Sequence, residues 1–242
     1  MIQIRNLSKS YSRGGVKAVD SLNVNIEDGK ITGFIGPNGA GKSTTLKLIT
    51  GVSVPDEGEI TINGFNIVSQ PLKAKEQFAF VSDTPDNFLK LKGIEYLNFV
   101  SDIYDVNETD RKSRISELAE RFEMSGALST QIADYSHGMR QKMMIMGALI
   151  HNPPVWLMDE PLVGLDPASS HILKEMMKEH AAKGNCVLFS THVLEVAEKL
   201  CDQVIIINHG KLIFVGTLDE LKSRFSGEQS LENIFLEITK NE

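Results

Sequence analysis

Short apolar runs separated by turn residues fill the first 65 residues of the chain. The four runs are MIQIRNL, LNVNI, ITGFIG and EITINGFNI, and Asn63 and Gly64 divide the last of them. An Asn-Gly pair between apolar runs is typical of a two-residue β-hairpin turn. The opening section is therefore predicted to be rich in strands.

The apolar spacing becomes helical between about residue 88 and about residue 150. RISELAERF places Ile115, Leu118, Ala119 and Phe122 on one helix face, and RQKMMIMGALI is predicted to form a second, more apolar helix. The segment 88–150 is thus predicted to be an inserted helical lobe.

Strands and helices alternate in the last third of the chain. The predicted order is a strand at VWLMD (155–159), a helix near 168–182, a strand at CVLFS (186–190), a helix near 192–200 and a strand at QVIII (203–207). Such alternation is typical of parallel strands joined by crossover helices. We therefore predict a single α/β domain over 1–242, with a core lobe formed by 1–87 and 151–242.

Two further patterns follow toward the end of the sequence. IINHGKLIFVG is predicted to form a second hairpin, and an amphipathic helix is predicted within 225–242. Leu231, Ile234, Phe235 and Ile238 share one face of that helix. The helix is expected to cover the core, and a face for docking a partner is the alternative.

Composition narrows the class of protein. With 41% hydrophobic and 24% charged residues in 242, the chain has the balance of a globular protein. Its formal net charge of −7 argues against a general grip on nucleic acid. No apolar run approaches the roughly 20 residues of a spanning helix, and the start lacks a signal-peptide pattern. We expect a cytosolic chain, with Cys186 and Cys201 as buried free thiols.

GPNGAGKST, at 36–44, carries the clearest chemical signal. It matches G-x-x-x-x-G-K-[ST] between an apolar strand and a helical segment, the context that a phosphate-binding loop requires. Backbone N–H groups of such a loop point at phosphate oxygens, while its Lys neutralises the β and γ phosphates and its hydroxyls reach Mg²⁺ and the α phosphate. The predicted binding residues are Gly36, Pro37, Asn38, Gly39, Ala40, Gly41, Lys42, Ser43 and Thr44.

Polar residues end two buried-looking strands. VWLMDEP places Asp159 and Glu160 at the end of one strand, where Asp159 suits Mg²⁺ coordination through water and Glu160 suits polarisation of an attacking water. CVLFSTH ends in His192. Either His192 starts a helix that Thr191 caps, or it hydrogen-bonds a γ phosphate.

These elements together resemble the nucleotide-binding subunit of an ATP-binding cassette (ABC) transporter over essentially the whole chain. GPNGAGKST resembles the Walker A loop, WLMDE the Walker B strand, GLDP (164–167) the D-loop and STH the H-loop, while Tyr11 occupies the place of an adenine-stacking aromatic. The resemblance implies a P-loop NTPase fold, that of an ABC-type ATPase. Its parts are a RecA-like mixed-sheet core, an N-terminal antiparallel β subdomain and an inserted α-helical subdomain.

YSHGM corresponds to the family signature LSGGQ, from which Tyr135, His137 and Met139 depart while Ser136 and Gly138 are kept. A Met at the fifth position followed by basic residues is similar to bacterial type-2 exporters, including the Ecs-like group. The resemblance therefore implies an export ATPase.

The resemblance also implies the chemistry and the partners. Two cassettes, as a homodimer or a pair of ABC subunits, would enclose two ATP molecules, each held by the Walker loops of one chain and by Ser136 and Gly138 of the other. Glu160, His192 and Lys42 would act in hydrolysis with Mg²⁺. Separate transmembrane permease subunits would hold the chain at the cytoplasmic face of the membrane, and no nucleic acid partner is expected.

FVSDTPDNF, at 80–88, departs from the family. Aligning this strand end on the Q-loop pattern puts Asp83 at the place of the family glutamine. Asp83 is interpreted as an Mg²⁺ ligand that loses the water-orienting amide, as a turn-capping residue, or as both. Asp86, Asn87 and Phe88 are then predicted to face the membrane subunit.

Three other functions remain as alternatives. The first is another P-loop protein, a kinase or a GTPase. A kinase would not need YSHGM, GLDP and STH together, and the sequence has no N-K-x-D motif for guanine recognition. A non-transport ABC protein of translation or DNA repair is the second. The third is a cassette that binds ATP but hydrolyses it poorly, which the missing Q-loop glutamine keeps open.

Overall fold

The computed structural model describes residues 1–12, 15–84, 86, 88–224 and 230–240. Its strands are β1 (Ile2–Ser10), β2 (Lys17–Ile26), β3 (Ile31–Ile35), β4 (Glu57–Ile62), β5 (Phe65–Asn66), β6 (Phe78–Val81), β7 (Val155–Met158), β8 (Cys186–Thr191), β9 (Gln203–Asn208) and β10 (Lys211–Gly216). Its helices are α1 (Lys42–Ile49), α2 (Pro71–Lys75), α3 (Gly93–Ile103), α4 (Glu108–Arg121), α5 (His137–Leu149), α6 (Pro167–Ala182), α7 (Leu194–Leu200), α8 (Leu218–Arg224) and α9 (Leu231–Lys240).

The N-terminal strands form an antiparallel sheet in the order β2-β1-β4-β5. Its predicted hairpin is confirmed, because Ile62 pairs with Phe65 across the turn. Asn63 and Gly64 have φ of 48° and 85°, the positive values that a type I′ turn requires at both central positions.

A second sheet of six strands has the order β10-β9-β3-β8-β7-β6. β6, β7, β8, β3 and β9 run parallel, and β10 joins the edge antiparallel to β9. Every residue of β3, β7 and β8 is buried, which explains why their sequences are mostly apolar. The predicted second hairpin is confirmed, since Asn208 pairs with Lys211.

Helices α3, α4 and α5 lie in the chain between β6 and β7. The predicted face of α4 is buried, and Phe122, directly after the helix, shares a cluster with Trp156 of β7 and Phe189 of β8. α4 begins after Asn107, whose side chain accepts a hydrogen bond from the backbone N–H of Asp110. The helical insertion is thus packed on the same core as the six-stranded sheet.

The C-terminal helix α9 packs on a separate hydrophobic cluster of the core. Leu231 and Ile234 are buried in a cluster with Ile35 and Phe214. The side chain of Ile238 lies outside the described residues, so the predicted face is observed only in part. No helix in the described parts of the chain is long and apolar enough to span a membrane.

Both cysteines are free in the structure. Cys186 is fully buried in β8, and Cys201 is partly buried. Burial raises the pKa of both thiols to about 12. Both side chains are therefore neutral packing groups at physiological pH.

The parallel strands bring the predicted chemistry to one edge of the large sheet. β3 ends at the phosphate loop, β6 ends two residues before Asp83, β7 ends directly before Asp159, and β8 ends directly before His192. Loops at the carboxyl ends of parallel strands form the binding crevice of open α/β sheets. The candidate site is therefore at this edge.

Candidate nucleotide-binding site

The phosphate loop runs from the end of β3 to the start of α1. Gly41 precedes the helix with φ of 106°, and a Cβ atom there would lie 2.3 Å from the carbonyl oxygen of Ala18. Only glycine fits both the conformation and the contact. α1 has no side-chain cap, so the N–H groups of its first turn are available to an anion.

Lys42, in the first turn of α1, is held inside the loop. Its side chain is buried, and Nζ donates hydrogen bonds to the carbonyl oxygens of Gly36 at 2.6 Å and Pro37 at 3.2 Å. Burial lowers the pKa of Lys42, while the carboxylates of Glu160 and Asp159 act in the opposite direction. The loop therefore holds a partly desolvated cation where phosphates would lie.

A cleft of about 460 Å³ opens beside this loop. Its lining residues are Ala18, Pro37, Asn38, Gly39, Gly41, Lys42, Ser43, Thr44, Asp83, Glu160, Val163 and His192. The structure thus brings the phosphate loop together with Asp83 after β6, Glu160 after β7 and His192 after β8. Ala18 and Val163 were missed by sequence reasoning, since neither residue type carries a chemical signal.

Asp159 and Glu160 occupy different environments, as the alternation of side chains along a strand predicts. Asp159 is buried behind the cleft, where the hydroxyl of Ser190 donates a hydrogen bond to its Oδ1. Glu160 lines the cleft, and its backbone N–H donates to Ser190 Oγ at 2.9 Å. Ser190 was not predicted, although it lies in β8 only two residues before His192.

His192 contacts Glu160 directly, with 2.9 Å between its Nδ1 and Glu160 Oε1. The hypothesis that Thr191 caps the following helix is wrong. α7 begins at Leu194 after Val193, with no side-chain cap, and the Thr191 hydroxyl accepts a hydrogen bond from Val193 N–H at 3.0 Å. Thr191 therefore fixes the turn that presents His192.

Asp83 lies in the turn after β6 and also lines the cleft, and its role as an Mg²⁺ ligand stays a prediction. Its Oδ1 accepts hydrogen bonds from the hydroxyls of Ser82 and Thr84, each at 3.1 Å, which fits a turn residue. The same residue also lines the cleft with Lys42 and Glu160. The geometry therefore leaves the carboxylate beside the phosphate loop and accessible to a ligand.

Asp86 pairs with α5 of its own chain. Arg140 Nη1 lies 2.9 Å from Asp86 Oδ1, and the same guanidinium donates to the carbonyl oxygens of Ile132 and Ala133. Sequence reasoning did not predict this link between the loop after β6 and the signature helix. Asn87 lies outside the described residues.

Phe88 is half-exposed and begins an aromatic patch. Its ring centroid lies 5.1 Å from that of Tyr96 and 5.8 Å from that of Phe99. Phe99 and Ile103 are also exposed, one helical turn apart on α3. We call Phe88, Phe99 and Ile103 the apolar patch.

The signature residues start α5, outside the lining of the cleft. Ser136 precedes the helix, and its Oγ accepts a hydrogen bond from Met139 N–H at 3.3 Å. A Cβ atom at Gly138 would lie 2.8 Å from the Gly164 carbonyl oxygen, and the His137 imidazole occupies the Cβ space of Gly164. The signature and D-loop segments are therefore in direct contact.

An ion pair joins the helices that follow these two segments. Lys142 Nζ of α5 lies 2.9 Å from Asp166 Oδ2, the N-cap of α6. The backbone N–H of Ser169, the Lys142 ammonium and the Ser169 hydroxyl hold the pKa of Asp166 well below its usual range. Asp166 is therefore charged at every physiological pH, and the pair persists.

Tyr11 is not part of the cleft lining. It follows β1 and its side chain is largely exposed. A stacking platform has to present an open ring face, so this exposure is compatible with the predicted adenine contact.

The donor set fits Mg²⁺ bound together with a nucleotide. Ser43 offers a hydroxyl, and Asp83 and Asp159 offer carboxylates, which are the hard oxygen ligands that Mg²⁺ prefers. In the described ranges no three His, Cys, Asp or Glu side chains form a group that could hold a metal alone. Mg²⁺ is commonly held by one or two carboxylates plus substrate phosphates, so the residues fit this mode.

Comparisons with known proteins agree with this geometry. A family profile described as ABC transporter matches residues 19–163. The ABC-type transporter ATP-binding protein EcsA of Bacillus subtilis (strain 168) is 35% identical over 243 residues, which cover 100% of this chain and 98% of that protein.

Two solved structures extend the comparison. An ATP-binding subunit of an ABC transporter superposes with a TM-score of 0.93 at 35% identity, covering 98% of this chain and 99% of that one. A dimeric ATP-binding cassette in a post-hydrolysis state, bound to ADP and Pi, superposes with a TM-score of 0.81 at 25% identity, covering 90% and 99%.

Proposed function

The chain belongs to the ABC transporter family as an ATP-binding subunit, and from this premise we propose that it powers export through separate transmembrane subunits. The observation that carries the proposal is the cleft in which Lys42, Glu160 and His192 meet the phosphate loop. Its direct test is phosphate release from ATP by the purified chain with no added acceptor. Transfer to an acceptor would indicate a kinase instead.

The ATPase chemistry follows from the positions of three side chains. Lys42 would leave the loop carbonyls and neutralise the β and γ phosphates. Glu160 would orient or deprotonate the attacking water, and His192, already 2.9 Å from Glu160, would hold both that carboxylate and the γ phosphate. Bound Mg²⁺ would neutralise negative charge on the phosphates. Positioning and electrostatic stabilisation contribute most to lowering the barrier of phosphoryl transfer.

A second chain is needed to complete each site. Ser136 and Gly138 do not line the cleft of their own chain. They lie at the N-terminus of α5, where the Ser136 hydroxyl and the backbone N–H groups suit a phosphate bound by a partner chain. The dimeric relative in a post-hydrolysis state supports this arrangement. ATP that binds the closed dimer more tightly than the open form would drive closure.

The apolar patch is our candidate docking surface for the transmembrane subunit. It lies next to the loop that carries Asp83, so a partner seated there would sense nucleotide through that loop. A docked permease would place the chain peripherally at the cytoplasmic face of the membrane. The similarity to EcsA supports the Ecs-like subgroup, and the resemblance of the signature segment to that of type-2 exporters is the basis for proposing export.

Phe99→Asp is expected to weaken association with the transmembrane subunit roughly tenfold or more, because an exposed aromatic side chain that docking would bury becomes a charge. ATP hydrolysis by the isolated chain should stay near wild type. Val52→Asp is the matched control, since Val52 is also an exposed apolar residue. Co-purification with the co-expressed membrane subunit measures the effect.

Equal recovery of both variants would show that the docking assignment is wrong. Co-purification of the chain with ribosomes or DNA instead would favour a non-transport role.

Asp83→Gln is expected to raise the Mg²⁺ concentration for half-maximal ATPase activity about tenfold, because a charged oxygen ligand is lost. Asp86→Asn serves as the control, since that carboxylate pairs with Arg140. Titration of ATPase activity with Mg²⁺ measures the difference. If Asp83→Gln leaves both activity and Mg²⁺ dependence unchanged, Asp83 is only a turn residue.

A further inference from the structure

Ser190 links the two carboxylate residues at the end of β7. Its hydroxyl donates to Asp159 Oδ1, and its oxygen accepts the Glu160 backbone N–H at 2.9 Å. We propose that Ser190 is a positioning residue that holds the metal-binding carboxylate of Asp159 and the backbone of Glu160 in one fixed arrangement. The inference rests on the proposed roles of Asp159 and Glu160.

A hydroxyl is suited to this position for a chemical reason. It carries one donor and two acceptor sites, so it can serve a carboxylate oxygen and an N–H at once. Ser190 and Asp159 are both buried, with 0% and 3% of their surface exposed, so water cannot readily replace the lost partner. Removing the hydroxyl would take one hydrogen bond from the buried Asp159 carboxylate and one from the Glu160 backbone N–H.

The backbone of Glu160 needs such support. Asp159 N–H still follows the sheet by donating to the Val81 carbonyl oxygen, but Glu160 turns away with φ of 48°. Non-glycine residues in this left-handed region are strained and persist only where the surroundings enforce them. Here Ser190 holds the N–H of Glu160, and the Glu160 carbonyl accepts from Val163 N–H at 3.1 Å.

Ser190 and His192 act on Glu160 from one strand end. Ser190, near the end of β8, holds the backbone of Glu160, while His192, directly after the strand, contacts the Glu160 side chain. Thr191, between them, points to the following turn instead. This short segment therefore sets the position of the hydrolytic carboxylate relative to the metal-binding one.

The expected effect is on the Mg²⁺-dependent part of nucleotide binding. Loss of a partner that orients a metal ligand typically costs 10–100-fold in metal affinity or activity. We expect Ser190→Ala to lower the gain in affinity that Mg²⁺ confers on ATP by about that factor. Affinity for ATP in EDTA should stay near wild type, because the phosphate loop is untouched.

The experiment titrates a fluorescent ATP analogue into each variant, once with Mg²⁺ and once with EDTA. Thr32→Val is the control, because the Thr32 hydroxyl in neighbouring β3 is buried and has no hydrogen-bond partner among the described residues. Ser190→Thr retains the hydroxyl and should restore the Mg²⁺ effect. Should Ser190→Ala not fold, Ser190→Cys, with its weak S–H donor, takes its place in the same titration.

A wild-type Mg²⁺ effect in Ser190→Ala would overturn the inference. Equal losses with Mg²⁺ and with EDTA would also overturn it, since they indicate general loss of structure. ATP hydrolysis by the wild-type chain separates the two levels of the argument. If wild type hydrolyses ATP and Ser190→Ala behaves like it, only this inference fails; if wild type does not hydrolyse ATP, the proposed function itself fails.

Discussion

Glu160→Gln is expected to lower ATP hydrolysis by about 10²–10⁴-fold while ATP affinity stays near wild type, as befits loss of a general base. The amide keeps the size of the side chain and can still contact His192, but it cannot take a proton from water. Glu160 lies in the cleft at 2.9 Å from His192, so its removal acts at the reacting water. Phosphate release at saturating MgATP measures the loss.

Glu175→Gln is the matched control for this variant. Glu175 is a carboxylate on α6 that pairs with Lys178 at 2.9 Å on the surface, and it does not line the cleft. It should hydrolyse ATP like wild type. Turnover by Glu160→Gln near the wild-type rate would show that another group activates the water, and the assignment of Glu160 would be wrong.

Lys42→Ala is expected to reduce nucleotide affinity by about 10²–10⁴-fold, because charge-assisted hydrogen bonds to two phosphates are each worth about 1.5–3 kcal/mol. Nζ is held inside the phosphate loop by the carbonyl oxygens of Gly36 and Pro37, and it would exchange these partners for the phosphates. Titration with a fluorescent ATP analogue measures the affinity.

Lys47→Ala controls for a change of charge on the same helix, because Lys47 is exposed in the last turn of α1. Thermal unfolding of both variants separates loss of binding from loss of structure. A folded Lys42→Ala chain that binds the analogue like Lys47→Ala would exclude the phosphate role of Lys42.

Local signals in the sequence predicted much of the fold. The Asn63-Gly64 turn and the second hairpin were confirmed, because a two-residue turn depends on the conformations of its own residues. The mostly apolar runs are the buried central strands of the large sheet. β2 was underpredicted, since KAVDS ahead of LNVNI mixes polar and apolar residues without strict alternation.

The phosphate loop and the strand-end carboxylates could also be predicted, since each belongs to a short contiguous motif. Contacts between distant segments could not. Ser190 meets Asp159 across 31 positions of the chain, and Arg140 meets Asp86 across 54. Such pairs depend on the sheet order and on the packing of the helical insertion, neither of which a short motif specifies. Thr191 was misjudged for a related reason, because α7 starts later than its apolar spacing indicated.

One departure from the family signature, His137, makes a specific contact in the fold. His137 fills the space over Gly164, so the segment that would face a partner's phosphate is packed on its own D-loop. Lys142 ties the same helix to Asp166. The sequence change from LSGGQ to YSHGM therefore leaves Ser136 and Gly138 at the helix start on which the proposed shared site depends.

Sedimentation of the Glu160→Gln variant tests the central claim most directly, namely that ATP closes two of these chains around shared sites. The account predicts a dimer in MgATP and a monomer in ADP, and it predicts that adding Ser136→Arg keeps the protein monomeric in both. A Glu160→Gln chain that binds MgATP yet remains monomeric at every concentration would contradict the account.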